Sequence, residues 1–245
     1  MFNARPDRLE PGDLLEVAGC AVRLKVDGRA RRISLRVDAA RREVIATAPS
    51  PRKLKDAARF AASRADWIST ALARLPEALA FEPGAVIEVL GRPCRLERTE
   101  TRRGQALVDD GNLFLVAYGE GSDFNRSAVR LLKGHALKVL AERTEAHVAA
   151  LGHPMPKVSV MDARSRWGSC TPARGLRAAG IRYSWRLILA PYAVMDYVVA
   201  HECAHLVHAD HSARFWNVVR ALRPDMTRQR AWLRAHGSTL HALGR

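Results

Sequence analysis

"YAVMDYVVAHECAHLVHADH", residues 192–211, joins an apolar segment to four of the nine histidines of the chain. Apolar residues recur at helical spacing between Val194 and Val199, which predicts a helix with one buried face. The motif H-E-x-x-H follows at the C-terminal end of this pattern. The stretch therefore predicts a packed helix that carries a candidate metal site.

The first two histidines of this motif are spaced for binding one ion. His201 and His205 are one helical turn apart, so both imidazoles can reach a metal at about 2.0–2.1 Å. Glu202 points about 100° away around the helix, too far to be a third ligand but close enough to touch a water at the metal. This arrangement provides two imidazole ligands and a carboxylate general base. It predicts a zinc hydrolase.

A zinc hydrolase site normally has three protein ligands, and two later histidines are candidates for the third. His208 lies about 10.5 Å from His201 along a continuing helix, so these two could not easily share an ion. Asp210 allows the chain to leave the helix and bring His211 back to the first pair. His211 is therefore preferred, and His208 is interpreted as a solvated or supporting residue. Metzincins have the same spacing to the last histidine, but a glycine where this chain has His208.

Composition describes an ordinary globular protein of 245 residues, long enough for one large domain or two small ones. Its 48% hydrophobic and 27% charged residues exclude a disordered chain, and no apolar run reaches the roughly 18 residues of a membrane span. Charges and prolines at 1–17 replace the apolar core of a secretory signal, which predicts a cytoplasmic location. The four cysteines form no C-x-x-C pair and are interpreted as reduced thiols.

The net charge of +15 favours acidic partners, and binding of nucleic acid or nucleotides is one interpretation. The arginines are spread along the whole chain, however, without interleaved aromatic residues or a recognised nucleic-acid module. A solvated basic surface is therefore the preferred interpretation. The oligomeric state is not predicted.

The N-terminal half alternates between strand and helix patterns. Alternating residues predict strands within 20–48, and a helix follows over 49–75. A second β-rich piece extends over 85–118, followed by a long amphipathic helix over 124–151. No internal repeat is evident from the sequence.

The C-terminal half predicts short strands at "KVSVMD" (157–162) and "SWRLILAP" (184–191) before the motif helix. Two more helices are predicted over 212–222 and 225–237, where Pro224 and Gly237 mark a start and a stop. The fold class is therefore predicted to be α+β. We expect an N-terminal extension, a β-rich part with one helix, and a helical catalytic part, with these bounds: 1–19, 20–120 and 121–245.

Three segments resemble a known family: "RISLRVD" (32–38), "SRWGSC" (165–170) and "SWRLILAPYAVMDYVVAHECAHLVHADHSARFW" (184–216). They are similar to the YgjP-like metal-dependent hydrolases, bacterial zincin-type proteins related to the SprT-like group. The resemblance covers nearly the whole chain from about residue 20. It implies that the helical part is a zincin-like metallopeptidase domain.

The resemblance also implies functional residues, with Glu202 as the general base and these zinc ligands: His201, His205 and His211. Two positions depart from the family pattern, because Asp210 and Ser184 stand where asparagine is common. Both residues are small and polar, so they can still cap a helix or turn.

The segment "SRWGSC" suggests residues that contact the substrate. Gly168 permits a close backbone approach, while Arg166 and Trp167 are large enough to line a cleft. Arg166 is the candidate for facing the substrate or a developing oxyanion. The alternative is that Trp167 belongs to the core and Gly168 forms a bulge. Phe215 and Trp216 are interpreted as core residues.

Three functions remain open from the sequence. The leading one is a zinc metallopeptidase whose extended substrate pairs with an edge strand, for which "KVSVMD" or "SWRLILAP" is the predicted template. The second uses the same zinc site on a nucleotide phosphoanhydride. The third is a DNA-associated protease of the SprT-like kind.

Overall fold

The computed structural model describes residues 9–38, 41–109, 112–163, 166–175 and 178–245. Parts of three sequence predictions lie outside these residues: the N-terminal extension, the second β-rich piece and the "SRWGSC" segment at Ser165. The chain divides into two compact units, Met1–Glu77 and Ala78–Arg245. The boundary expected near residue 120 lies inside the second unit.

The first unit is a four-stranded sheet followed by two helices. Its strands are β1 (Leu14–Val17), β2 (Cys20–Val26), β3 (Ser34–Asp38) and β4 (Glu43–Ala48), in the order β1-β2-β4-β3. Strands β2 and β4 are parallel, whereas the outer pairs are antiparallel. The strands predicted within 20–48 are therefore confirmed.

Two helices in the first unit replace the single helix predicted over 49–75. A 3-10 turn at Pro51–Lys53 leads into α1 (Leu54–Ala62), and α2 (Ala65–Ala73) follows. The hydroxyl of Ser63 donates a hydrogen bond to the carbonyl of Phe60 (2.9 Å), which offers the backbone an alternative to continuing the helix. Periodicity could not detect this break, because the apolar spacing continues across it. The helices and the sheet share one core, with these fully buried residues: Val22, Val44, Ala46, Ala48, Ala57, Ala61 and Ile68.

The second unit begins with another four-stranded sheet and continues into a smaller sheet and four helices. The first sheet contains β5 (Val86–Val89), β6 (Arg92–Thr99), β7 (Gln105–Asp109) and β8 (Asn112–Tyr118), in the order β5-β6-β8-β7. The second contains β9 (Lys157–Met161), β10 (Gly168–Thr171) and β11 (Gly180–Ser184), in the order β10-β11-β9. The helices are α3 (Gly121–Ala150), α4 (Tyr192–Val207), α5 (Ala213–Leu222) and α6 (Met226–Ala242).

The two four-stranded sheets are copies of one motif. Both have the same strand order and the same alternation of parallel and antiparallel pairs. Gly12 N–H donates to the Leu24 carbonyl (2.8 Å) in the first sheet, and Gly84 N–H donates to the Leu96 carbonyl (2.7 Å) in the second. The shared segments are "EPGDLLEVAG" and "EPGAVIEVLG". The prediction of no internal repeat is therefore wrong. The repeat was missed because the two copies share little sequence beyond these two segments.

Two other predictions in the C-terminal half need correction. "SWRLILAP" is not a strand: β11 ends at Ser184, and Trp185–Leu189 forms a buried 3-10 helix. A short buried apolar run gives no periodicity that separates strand from helix. Helix α6 also continues past Gly237, which packs against the Trp167 ring and does not end the helix.

The other predicted elements of this half are confirmed, and the α+β class is confirmed with them. "KVSVMD" forms β9, the long helix is α3, and the motif lies in α4. Within the described residues, no helix combines the length and apolar character that a membrane crossing would need.

Candidate metal centre

Helix α4 presents His201 and His205 side by side, one turn apart. Their ring centroids lie 5.0 Å apart. Most residues from Val194 to Ala204 are buried, so the helix is held firmly in the core of the second unit. The core packing therefore fixes the positions of both imidazoles.

The chain turns directly after α4 and returns His211 to these two histidines. His208 leaves the helical region with φ −131° and ψ 114°, and Asp210 Oδ1 accepts a hydrogen bond from Ser212 N–H (3.0 Å). Nε2 of His211 then lies 3.3 Å from Nε2 of His201. One ligand nitrogen from each of the three histidines lies within 4.8 Å of the others. The turn thus creates a group of donors that neither helix could provide alone.

The ring nitrogens of this triad are suited to accepting a cation. His205 Nδ1 lies 3.1 Å from the main-chain carbonyl oxygen of His208, so it can donate there and leave Nε2 free as a ligand. Burial, helped by the charges of His205 and His211, lowers the pKa of His201 to about 4 and keeps that ring neutral. Three imidazole nitrogens match the ligand preference of zinc, whereas magnesium and calcium prefer oxygen.

Aromatic side chains of α5 support the three histidines from behind. Phe215 is fully buried, and its ring centroid lies 4.4 Å from His205 and 4.9 Å from His201. The Trp216 centroid lies 5.8 Å from that of His211. The prediction that Phe215 belongs to the core is confirmed. It packs against the back of the triad.

Glu202 lies beside the triad and is almost fully buried, with 6% of its surface exposed. Its carboxylate contacts β10 so closely that a Cβ atom at Gly168 would collide with it. Burial raises the pKa of Glu202 to about 7, against the opposing effect of the Arg166 guanidinium. The carboxylate is therefore held in a desolvated position where it can exchange a proton near neutral pH.

Strand β10 provides a free backbone edge next to this carboxylate. Among the described strands it pairs only with β11, and Ser184 N–H of the β11 strand donates to the Trp167 carbonyl (2.8 Å). Backbone groups in an antiparallel pair alternate between facing the partner strand and facing away from it. Because Trp167 bonds towards β11, the amide groups of Gly168 and Cys170 face away from it. This edge can pair with an extended peptide.

Two cavities of about 340 Å³ each adjoin the centre, and both are bordered by Gly168, His201 and Glu202. One extends along β10 past Cys170 and Pro172. The other extends towards helix α6 and is lined by Trp167 and these α6 residues: Arg230, Leu233 and Arg234. The Glu202 carboxylate thus borders two cavities that could each hold part of a substrate.

Trp167 and Arg166, the predicted substrate contacts, have different environments. The Trp167 ring stacks on His241 (centroids 4.4 Å apart), packs against Gly237 and still lines one cavity. Arg166 is exposed and acts on Glu202 through its charge. Trp167 therefore fixes the strand that carries Gly168, as well as forming a cavity wall.

The sequence analysis missed a second buried carboxylate in α4. Asp196 is 2% exposed and accepts hydrogen bonds from His147 Nε2 (2.8 Å) and Arg143 Nε (2.9 Å) of α3. It also pairs with Arg223, directly after α5. Burial opposes ionisation, but these three donors together hold the pKa of Asp196 well below its usual range. One aspartate within an apolar helical pattern carries no signal that could have revealed this network.

Comparison with known proteins is consistent with this geometry. The family model described as "YgjP-like, metallopeptidase domain" matches residues 31–236. The chain belongs to the YgjP-like family, and the metallopeptidase domain makes it a metal-dependent hydrolase. No curated protein and no solved structure was found to match it.

Proposed function

We propose that this chain is a zinc-dependent peptidase in which His201, His205 and His211 hold the metal and Glu202 is the general base. The observation that supports this is the convergence of three imidazole nitrogens within 4.8 Å, beside a buried carboxylate. Zinc in such a site supplies Lewis acidity towards water and towards a carbonyl oxygen. The remaining steps belong to the side chains and backbone of the protein.

Glu202 performs the proton transfers in this proposal. Its carboxylate accepts a proton from the attacking water and later returns it to the amine that leaves. Close contact with Gly168 on β10 restricts the positions that the carboxylate can adopt. A desolvated carboxylate is a stronger base than a solvated one, so its burial serves the reaction.

The free edge of β10 aligns the peptide. An extended substrate can pair with the backbone of Gly168 and Cys170, which places its scissile bond next to Glu202. The template is therefore "GSCT" and not either segment named from the sequence, because Trp185–Leu189 is helical and β9 lies on the far side of β11. This pairing requires a flexible chain, so unfolded segments are the expected substrates.

Hydrolysis of nucleotide phosphoanhydrides is the second candidate. It would use the same metal centre, and the arginines at 230 and 234 beside it could bind phosphate oxygens. The edge strand favours the peptidase, because pairing with a backbone has no use for a nucleotide.

The deciding experiment measures metal content and then compares substrates at equal enzyme concentration. Casein, casein with DNA, and a nucleoside triphosphate are incubated with the zinc-loaded protein, and the Glu202→Gln protein serves as the blank. We expect about one zinc per chain. We also expect casein to be cleaved without DNA, and the nucleoside triphosphate to remain intact. Zinc-dependent release of phosphate or pyrophosphate without peptide cleavage would refute the peptidase, and cleavage only with DNA would favour the DNA-associated alternative.

A further inference from the structure

One of the two cavities at the metal centre differs in charge from the other. We call it the arginine pocket, and it is lined by these residues: Trp167, Tyr197, Leu233, Arg230 and Arg234, with His201 and Glu202 at its inner wall. Its volume of about 340 Å³ is ample for one large side chain. The cavity on the other side of Glu202 has no lysine or arginine among its described lining residues. Among the described lining residues, arginines therefore border only one of the two cavities.

The two arginines are arranged to act together. Arg230 and Arg234 are four residues apart in α6, so they project from the same face of the helix. The guanidinium of Arg230 lies 5.1 Å from the centroid of the Trp216 ring, which restricts its position. The same ring packs 5.6 Å from the ring of His201. Arg230 and His201 thus pack against the same indole ring and line the same cavity.

Neither arginine is neutralised by a carboxylate within the described part of the chain. Two arginines that are partly or fully buried in the same unit are paired: Arg223 with Asp225 and Asp196, and Arg186 with Asp162. Arg230 and Arg234 have no such ion pair with a described residue. Two unpaired cations in a concave site attract an anionic group and hold it in place.

We propose that the arginine pocket binds the side-chain carboxylate of an aspartate or glutamate next to the scissile bond. The inference rests on the proposed peptidase function and adds its substrate preference: peptides are cleaved beside acidic residues. The walls formed by Trp167, Tyr197 and Leu233 can contact the methylene groups of such a side chain, while the guanidinium groups bind its carboxylate. The pocket beyond Glu202 on the β10 side imposes no charge preference.

The test uses matched peptides that differ only at the residue on one side of the cleaved bond: glutamate, glutamine or lysine. We expect kcat/KM for the glutamate peptide to exceed that for the glutamine peptide by about fivefold or more, and the ratio to fall as salt rises. In Arg230→Glu/Arg234→Glu the order should reverse, so that the lysine peptide is cleaved best. Arg228→Glu, in the same helix but outside the pocket, should keep the preference for glutamate, which shows that a charge reversal elsewhere on α6 does not alter it.

A binding measurement separates failure of this inference from failure of the proposed function. The affinity of the same peptides and of pyrophosphate for the zinc-loaded Glu202→Gln protein does not depend on turnover. If peptides are cleaved or bound without a charge preference, or if the preference survives the double reversal, the inference is wrong and the peptidase stands. If no peptide is cleaved, yet pyrophosphate binds more tightly than the glutamate peptide and this binding is lost in the double variant, the pocket binds phosphate and both proposals are wrong.

Discussion

Helix α4 carries two buried carboxylates, Asp196 and Glu202. Hydrogen bonds and ion pairs with described side chains stabilise the charge of Asp196 but not that of Glu202. Asp196 is 2% exposed and Glu202 is 6% exposed, so burial is nearly the same. Three cationic or hydrogen-bonding side chains surround Asp196 and keep its pKa well below the usual range. At Glu202 the charge of Arg166 opposes burial without cancelling it, and burial raises the pKa to about 7.

The difference separates a structural carboxylate, Asp196, from the proposed general base, Glu202. Asp196 ties α4 to α3 and to the segment after α5, because its partners Arg143 and Arg223 come from those elements. Glu202 forms no ion pair with a described residue of another element, and it lines a cavity instead. A buried charge that is fully paired contributes to the architecture, whereas one left without partners is poised to change its protonation state.

The strongest test of the comparison removes the metal centre and leaves both carboxylates intact. His201→Ala and His205→Ala should each abolish zinc binding, and His211→Ala should weaken it heavily, because each removes one of three ligands. His208→Ala is the matched control: the bond from His205 uses the main-chain carbonyl of His208, which the substitution keeps. Zinc content after dialysis measures the outcome. Loss of zinc in His208→Ala with retention in His211→Ala would show that the ligands are assigned wrongly.

The roles of the two carboxylates can be distinguished by replacing each with its amide and comparing the rates of hydrolysis. Glu202→Gln should keep zinc and fold but lose hydrolysis by a factor of about a hundred or more, since the general base is gone. Asp196→Asn should keep hydrolysis per folded molecule, because Asp196 is not one of the proposed ligands and lines neither of the two cavities at the candidate site. Steady-state kinetics on an unfolded protein substrate at a temperature where both variants are folded gives the comparison. Normal turnover by Glu202→Gln would exclude the proposed mechanism.

The same pair of variants should show the opposite ranking in stability. Asp196→Asn should lower the free energy of unfolding by about 3 kcal/mol, because it leaves the cations around it without their anion. The pKa of Asp196 is lower in the folded protein than in the unfolded chain, so its contribution is present above pH of about 4 and is lost as the pH falls further. Urea unfolding of wild type and variant should therefore give curves that converge in acid. A constant difference at all pH values would argue against this network.

A smaller loss of activity is expected when a methyl group at position 168 crowds the Glu202 carboxylate and leaves Asp196 unchanged. The methyl group in Gly168→Ala would collide with Glu202, so either the carboxylate or β10 must move. Activity should fall by roughly tenfold to a hundredfold through misplacement of the base, with zinc content unchanged. Gly134→Ala in α3 is the matched control, since its Cβ would meet no atom within 4 Å, and it should leave activity unaltered. Equal activity of both variants would mean that Glu202 tolerates displacement.

Much of this architecture follows from local patterns. Alternation predicted β2, β3 and β4, and helical periodicity predicted α3 and the motif helix α4. Local patterns gave the wrong structure at two places. The buried run after Ser184 adopts a 3-10 helix and not a strand, and the helix predicted before Leu75 is interrupted at Ser63. The repeat of the two sheets leaves a clear sequence trace only in "EPGDLLEVAG" and "EPGAVIEVLG", and it was missed because most other side chains of the two copies differ.

The sequence by itself determined the arrangement of three residues of the candidate site, because four-residue spacing in a helix forces His201 and His205 together and places Glu202 beside them. Only the tertiary structure decided which other residues surround these three side chains. The return of His211, the contact between Gly168 and Glu202, and the two arginines of α6 all depend on residues distant in sequence. Spacing along a helix fixes neighbours within about one turn, whereas contacts between elements depend on how whole faces pack, which no single segment encodes.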